Sequence, residues 1–230
     1  MQLSIIQQPT LEIKEKIAGA IPVLEKRFGI PTIQLKDPFD ELIVTILSQN
    51  TNDRNRDTAY RRLRDRFKTW QEALDADVST IEEAIRPAGL GKQKSRRIKE
   101  TLEWVKERFG GFNLSPLGVM SDVEAIETLT ARNGIGVKTA AVVLAFGFGR
   151  DICPVDTHVH RIAGRLGWVN HNATTEAAFY NIRPNIPSGK AATFHLNLLK
   201  FGRTICTARN PNCGNCPLWN DCVWEGKSLY

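Results

Sequence analysis

The stretch that decides the fold runs Leu129-Thr130-Ala131-Arg132-Asn133-Gly134-Ile135-Gly136-Val137-Lys138-Thr139-Ala140-Ala141. Apolar residues at helical spacing precede it and the apolar run 141–146 follows it, which predicts two helices joined by a tight hairpin. Glycines at 134 and 136 free the backbone for positive φ and for close approach to another chain. The second helix begins near Val137, so we expect its first N–H groups to bind an anion.

Lys138 lies in the first turn of that second helix. Because a cation opposes the helix dipole there, its position indicates a role other than helix stability. Further along, Pro154-Val155-Asp156-Thr157-His158 opens another helix with Asp156 in the N-cap position. Gly-Ile-Gly-Val-Lys-Thr-Ala at 134–140, followed by Val-Asp-Thr-His at 155–158, resembles the endonuclease III family of helix–hairpin–helix DNA glycosylases and AP lyases.

A cysteine cluster supports the same resemblance. Four of the five cysteines lie close together near the C-terminal end: Cys206, Cys213, Cys216 and Cys222. Clustered thiols in an intracellular chain favour metal over disulfides, but their chemistry leaves zinc and iron–sulfur open. The resemblance implies a [4Fe-4S] cluster held by all four. The [4Fe-4S] cluster would stiffen the loop 207–212 and present Arg209 to a DNA phosphate. The fifth cysteine, Cys153, is expected to be a small buried hydrophobe.

Composition agrees with a DNA-binding globular protein. The chain has 230 residues, of which 42% are hydrophobic and 24% charged. Its net charge of +6 and pI of about 9.2 suggest a polyanionic partner. No apolar run reaches the length of a membrane span, and residues 1–6 carry no secretory pattern. We therefore expect a cytoplasmic, nucleoid-associated protein without a membrane partner.

The pattern of apolar residues predicts an all-α fold. Helices are expected at 10–28, 39–47, 54–68, 70–74, 79–85, in a basic stretch ending at 109, from 122, after the hairpin, and at 156–166, 175–182 and 191–204. Asp37, Asp53 and Asp122 are the expected N-caps, and Pro22 is expected to break or kink the first helix. The resemblance implies a helix–hairpin–helix glycosylase fold with its active site in a cleft between two helical subdomains. These are a six-helix segment, 30–150, and a subdomain made of 1–29 and 151–230 with the cluster loop 206–222.

Two loops and the hairpin carry the expected DNA contacts. In the endonuclease III family the loop matching 48–53 inserts a glutamine into the gap left by a flipped nucleotide. Gln49 and Asn50 are both candidates here, and register favours Asn50. The turn 86–91 matches a family turn whose leucine is a wedge in the base stack, which assigns that role to Leu90. The lysines and arginines that follow it favour phosphate contact, as do the N–H groups of Gly134 and Gly136.

The resemblance implies a base excision repair enzyme with two activities. Lys138 is the expected nucleophile at C1′, and Asp156 is expected to accept its proton or to stabilise positive charge on the sugar. The expected partner is duplex DNA with a damaged base, an oxidised pyrimidine, or an abasic site, bound by a monomer. Cleavage would follow by β-elimination. His158 and His160 are assigned to packing or hydrogen bonding rather than to acid–base chemistry.

Two alternatives remain at this stage. A monofunctional mismatch or damage glycosylase of the same superfamily would generally lack the lysine found at 138. A non-catalytic helix–hairpin–helix DNA-binding module would need neither Lys138 nor Asp156. One departure from the family is Arg132-Asn133, where Leu-Pro is common. Loss of that proline loosens the turn in the unfolded chain, and Arg132 is a candidate for an added phosphate contact.

Overall fold

The computed structural model describes residues 11–229. The regular secondary structure of these residues is entirely helical, with no strand among them. This confirms the all-α prediction; the interpretation of residues 1–6 lies outside the described residues. The α-helices are α1 Leu11–Phe28, α2 Pro38–Ser48, α3 Asp53–Arg66, α4 Trp70–Asp75, α5 Val78–Ile85, α6 Gly91–Phe109, α7 Asp122–Thr130, α8 Val137–Val142, α9 Thr157–Arg165, α10 Thr175–Ile182 and α11 Ala191–Thr204. Among these helices, none combines the length and apolar character needed to cross a membrane.

The structure confirms one of the three N-cap residues expected for α2, α3 and α7 and corrects the other two. Asp37 caps α2 as predicted, accepting hydrogen bonds from the N–H groups of the second and third helical residues. The predictions for the other two caps are wrong by one residue. Asn52, not Asp53, caps α3, and Ser121, not Asp122, caps α7 in a capping box with Glu124. The two aspartates instead begin their helices, where a negative charge favours the helix dipole.

Of the break or kink expected at Pro22, the break is wrong, because helix α1 continues through this residue. Proline removes one hydrogen bond from the helix interior. One face of α1 is buried nonetheless, through Ile17, Ile21 and Leu24. Burial of that apolar face holds the helix together across the missing bond, because tertiary packing contributes most of a helix's stability.

The chain divides into two compact units. Residues 35–148 form one unit, which contains α2 to α8. Helix α2 is buried along nearly its whole length and contacts α3, α6 and α8. Helix α8 continues as a π-helix over Val143–Gly147, and the Lys36 N–H donates to the Phe146 carbonyl at 3.0 Å. The helix after the hairpin is thereby fixed against the start of α2.

Among the described residues, the second unit contains 11–34 and 149–229. Helix α11 contacts both α1 and α9, and α9 also contacts α10. Its core includes the fully buried aromatic side chains of Trp168, Phe179, Phe194 and Phe201. Helix α9, which begins directly after Asp156, therefore lies on a well-packed support.

Gly147 provides a test of the packing between α2 and the helix that follows the hairpin. A Cβ at Gly147 would lie 2.8 Å from the Pro38 Cα, so Gly147→Ala forces the two backbones apart. We expect it to lower the free energy of unfolding by about 1–3 kcal/mol, measured in urea. Gly111→Ala is the control in the same unit, because nothing lies within 4 Å of its Cβ position. Equal stability of the two variants would contradict this packing account.

Candidate functional site

The hairpin between α7 and α8 depends on Gly134. Its φ is +91°, a conformation that L side chains rarely adopt, and a Cβ there would lie 2.9 Å from the Arg97 Nε. The Ile135 N–H donates to the Arg132 carbonyl at 3.1 Å, and the Ile135 side chain is buried. Glycine at 134 thus permits both the turn and the close contact with α6.

Lys138 is the second residue of α8 and is half-buried. Its neighbours Val137 and Thr139 are buried, which fixes the helix around it. Gly136 occupies the N-cap position and has no side chain to accept hydrogen bonds from the first turn. The start of α8 therefore combines backbone N–H groups outside the helix ladder with the Lys138 amine.

Asp156 caps α9, as the sequence predicts. The N–H groups of His158 and Val159 both donate to its Oδ1, each at 2.9 Å. Oδ2 takes no part in the cap. The carboxylate is half-buried and lies at the N-terminal end of α9, where a negative charge interacts favourably with the helix dipole. One oxygen of Asp156 is held by the helix while the other retains its acceptor capacity.

The histidines near Asp156 make structural hydrogen bonds, as expected. Nδ1 of His158 lies 3.1 Å from the Arg161 Nη2. Nε2 of His160 lies 2.7 Å from the Ala173 carbonyl oxygen. Their contacts leave Asp156 as the acid–base candidate on this helix.

The two loops assigned to DNA share an unusual backbone feature. Asn50 and Leu90 have φ values of 50° and 49°, in the left-handed region that non-glycine residues seldom occupy. Asn50 is exposed, and Leu90 is 49% exposed despite its apolar side chain. Gln49 instead accepts a hydrogen bond from the Arg97 Nη1 at 2.6 Å. Local strain together with an exposed leucine is typical of a functional loop.

Not all of the basic residues after Leu90 are exposed, although the sequence favours phosphate contacts for this segment. Lys92 and Arg96 are exposed, but Lys94 is only 2% exposed. Its Nζ donates to the carbonyls of Leu47 and Ala88, each at 2.8 Å. The sequence holds a signal for this burial, because Lys94 lies four residues before Ile98 on the apolar stripe of α6.

Arg132 also has a partner within its own unit. Its Nη2 lies 2.9 Å from Oε2 of Glu100 on α6. The sequence suggests Arg132 as a phosphate contact and does not predict this ion pair. It does not indicate Arg97 either, which lies one helical turn before Glu100 and contacts the loop at Gln49.

All four clustered cysteines line one cavity in the second unit, together with Arg165, Trp219 and Trp224. Four thiols around one cavity supply the all-cysteine donor set of a [4Fe-4S] cluster. Burial raises the pKa of the Cys216 thiol to about 11, so iron binding would displace its proton.

Two arginines of α9 hold the cysteine loop. Arg165 is 9% exposed, and its guanidinium donates to the Cys206 Sγ at 3.3 Å and to the Thr207 carbonyl at 2.8 Å. It also lies over the Trp224 ring, 3.9 Å from the ring centre. Arg161 donates to the Cys206 carbonyl. A buried cation that donates to a ligand sulfur fits the negative charge of a thiolate-bound cluster.

The remaining predicted residues of this unit lie as follows. Arg209 is exposed on the loop between the first two cysteines, and its carbonyl accepts a hydrogen bond from the Thr207 Oγ1 at 2.8 Å. Asn210 beside it has a φ of 49°. Cys153 is fully buried, which confirms its assignment as a small hydrophobe, and burial raises the pKa of its thiol.

Comparisons with known proteins identify the family of this chain. The profile of the HhH-GPD superfamily of base excision DNA repair proteins matches residues 43–187. The iron–sulfur binding domain of endonuclease III matches residues 206–222. Endonuclease III of Thermotoga maritima is 36% identical over 186 residues, which cover 81% of this chain and 83% of that protein.

Solved structures show the same relationship. A non-covalent endonuclease III–DNA complex superposes with a TM-score of 0.79 at 27% identity, covering 91% of this chain and 95% of that one. A trapped endonuclease III–DNA covalent intermediate, with an estranged adenine, matches with the same values. The chain belongs to the endonuclease III family of the HhH-GPD superfamily. It is therefore a base excision repair DNA glycosylase with AP lyase activity and a [4Fe-4S] cluster, as the resemblance implied.

The contacts of Arg165 generate a test of the cluster site. Arg165→Met keeps a long side chain but removes the donors to Cys206 and Thr207, so we expect the cluster to be bound about 10- to 100-fold more weakly. Iron content and the visible absorbance of the purified protein measure this loss. Arg27→Met is the control, since Arg27 is exposed on α1 of the same unit. Unchanged cluster retention in Arg165→Met would contradict the assigned role.

Proposed function

We propose that this enzyme releases oxidised or otherwise damaged pyrimidines from duplex DNA and then cleaves the abasic site by β-elimination. Lys138 is the proposed nucleophile and Asp156 its proton acceptor. The observation that carries the proposal is the amine in the first turn of α8, directly after the glycine hairpin. A monofunctional glycosylase or a binding module has no need of an amine at that point.

The proposed reaction begins with the damaged nucleotide outside the base stack, since C1′ is not accessible within the duplex. The neutral Lys138 amine attacks C1′ as the bond to the base breaks, and the electron pair of that bond leaves with the base. Loss of a proton from nitrogen and opening of the sugar give a Schiff base between Lys138 and C1′. Loss of the C2′ proton then expels the 3′ phosphate oxygen, and hydrolysis of the imine regenerates Lys138.

Asp156 supports two steps of this scheme. Its Oδ2, which the helix cap does not use, would accept the proton that the attacking amine loses. The negative charge would also stabilise the cationic sugar as the base departs. The helix cap uses one oxygen of Asp156, which leaves the other available for both steps.

The DNA contacts of the proposal come from exposed backbone and loop tips. Asn50 and Leu90 would occupy the space that the flipped nucleotide vacates, and their exposure on strained loops supports this role. The N–H groups of Gly134 and Gly136 would bind a backbone phosphate. Arg209 would bind another, held in place by the cluster loop. Gln49 is the weaker candidate for insertion, because Arg97 holds its side chain.

The cluster itself has a structural role in this proposal. When bound, it joins the four cysteines into one rigid loop. Arg165 and Arg161 then connect that loop to α9, which begins after Asp156. We also propose that the enzyme acts as a monomer on chromosomal DNA in the cytoplasm, since the reaction requires one Lys138 and one Asp156.

Replacement of Lys138 separates chemistry from binding. We expect Lys138→Gln to abolish borohydride trapping and strand cleavage on a duplex with one thymine glycol, while DNA affinity stays near that of the unmodified enzyme. The control Lys68→Gln removes a positive charge from an exposed lysine of the same unit and should still be trapped. Trapping of Lys138→Gln at the unmodified level would contradict the proposal. Base release without trapping by the unmodified enzyme would indicate the monofunctional class.

Replacement of Asp156 separates chemistry from helix capping. Asparagine caps helices about as well as aspartate, so Asp156→Asn should retain the hydrogen bonds to His158 and Val159. We expect base release to fall roughly 10²- to 10⁴-fold, with little change in thermal stability. Asp37→Asn is the matched control, because Asp37 caps α2 with the same pair of hydrogen bonds. Equal activity of the two variants would exclude Asp156 from the reaction.

A further inference from the structure

We propose that Lys94 is a positioning residue that couples the Asn50 loop to the Leu90 loop, so that both side chains enter the base stack as one unit. This inference rests on the proposed function, in which those two residues fill the gap left by a flipped nucleotide. It assigns a task to a lysine that touches neither DNA nor the reacting atoms.

The geometry of Lys94 places its ammonium at the base of both loops. Nζ donates to the carbonyls of Leu47 and Ala88 at 2.8 Å each. Leu47 lies three residues before Asn50, and Ala88 lies two residues before Leu90. One rigid helix, α6, supplies the side chain that makes both contacts. A movement of either loop relative to the other must break at least one of these hydrogen bonds.

The end of α2 shows that Lys94 completes a set of contacts. The last carbonyls of a helix lack partners within the helix ladder. The Ser48 hydroxyl donates to the Thr45 carbonyl, and the Gln49 N–H donates to the Ile46 carbonyl. Lys94 takes the next carbonyl, that of Leu47. The direction in which the chain leaves α2 toward Asn50 is therefore set partly by a residue of another helix.

Stability alone does not explain a lysine at this place. Burial of an ammonium is costly unless it is paired, and a well-packed apolar side chain often does as well or better. Among the ion pairs of residues 11–229, none joins Lys94 to a carboxylate. Burial lowers the pKa of Lys94, in accord with an ammonium that has only neutral partners. The hydrogen bonds to the Leu47 and Ala88 carbonyls offset part of the cost of burying this ammonium.

The backbone of both loop tips requires such support. Asn50 and Leu90 each adopt left-handed φ values, which persist only where the surroundings fix them. Arg97, one turn further along α6, adds a second contact between this helix and the Asn50 loop, because it donates to the Gln49 side chain at 2.6 Å. Without the contact of Lys94, we expect each tip to relax independently of the other.

The test compares Lys94→Met with Lys99→Met. Lys99 lies on the same helix, and its Nζ also donates to a carbonyl, that of Ala76, which lies outside both loops. The probe is a duplex with a stable abasic analogue opposite 2-aminopurine, whose fluorescence rises when inserted side chains unstack it. We expect Lys94→Met to lose most of this rise, and kcat for thymine glycol release to fall roughly 10- to 100-fold with KM unchanged. Lys99→Met should behave as the unmodified enzyme does.

A double-mutant cycle gives a readout that a merely structural role would not change. With Lys94 present, Asn50→Ala and Leu90→Ala should be non-additive in their effects on the fluorescence rise, because the loops act together. In the Lys94→Met background the same two changes should become additive. If Lys94→Met does not fold, Lys94→Gln is used instead, since its side chain is too short to reach both carbonyls.

The outcomes separate the two proposals. Fluorescence rise, kcat and coupling that are equal in Lys94→Met and Lys99→Met would overturn the positioning role while the proposed function stands. An unmodified enzyme that neither unstacks the probe nor releases thymine glycol would overturn both. Loss of the rise and of the coupling in Lys94→Met alone supports the inference.

Discussion

Three polar side chains of α6, those of Lys94, Arg97 and Glu100, fix loops of the unit of residues 35–148. They are spaced three residues apart, so each lies about one helical turn from the next. Lys94 binds the loops before Asn50 and Leu90, Arg97 binds Gln49, and Glu100 binds Arg132 of the hairpin. These contacts fix the loops from outside, in addition to what their own residues contribute, such as Gly134 and the buried Ile135 of the hairpin. The geometry of the loops therefore depends on α6 as well as on their local sequence.

The second unit repeats this arrangement with α9. Asp156 caps the N-terminus of α9, while Arg161 and Arg165 near its C-terminal end bind the loop that begins at Cys206. One short helix thus carries the proposed catalytic carboxylate and the support of the cluster loop.

Much of this architecture could be predicted from sequence. The helices follow from apolar spacing and cap residues, and the hairpin, Lys138, Asp156 and the cysteines are local motifs. The errors at Asp53 and Asp122 come from adjacent cap formers, Asn52 and Ser121, although Glu124 three residues after Ser121 is a sequence signal for a capping box there. Lys94 was missed because a lysine in a basic run suggests solvent, whereas its burial follows from packing between distant segments. The left-handed backbone at Asn50 and Leu90 also depends on such contacts. Neither position is a glycine, the residue that most often signals this conformation in a sequence.

The proposed reaction requires that the Lys138 amine form the covalent bond to DNA. The most direct measurement is peptide mapping by mass spectrometry after borohydride reduction of the unmodified enzyme on a thymine glycol duplex. We expect a single modified peptide whose deoxyribose remnant is attached to Nζ of Lys138. A remnant on another lysine or on the terminal amine would contradict the proposed reaction.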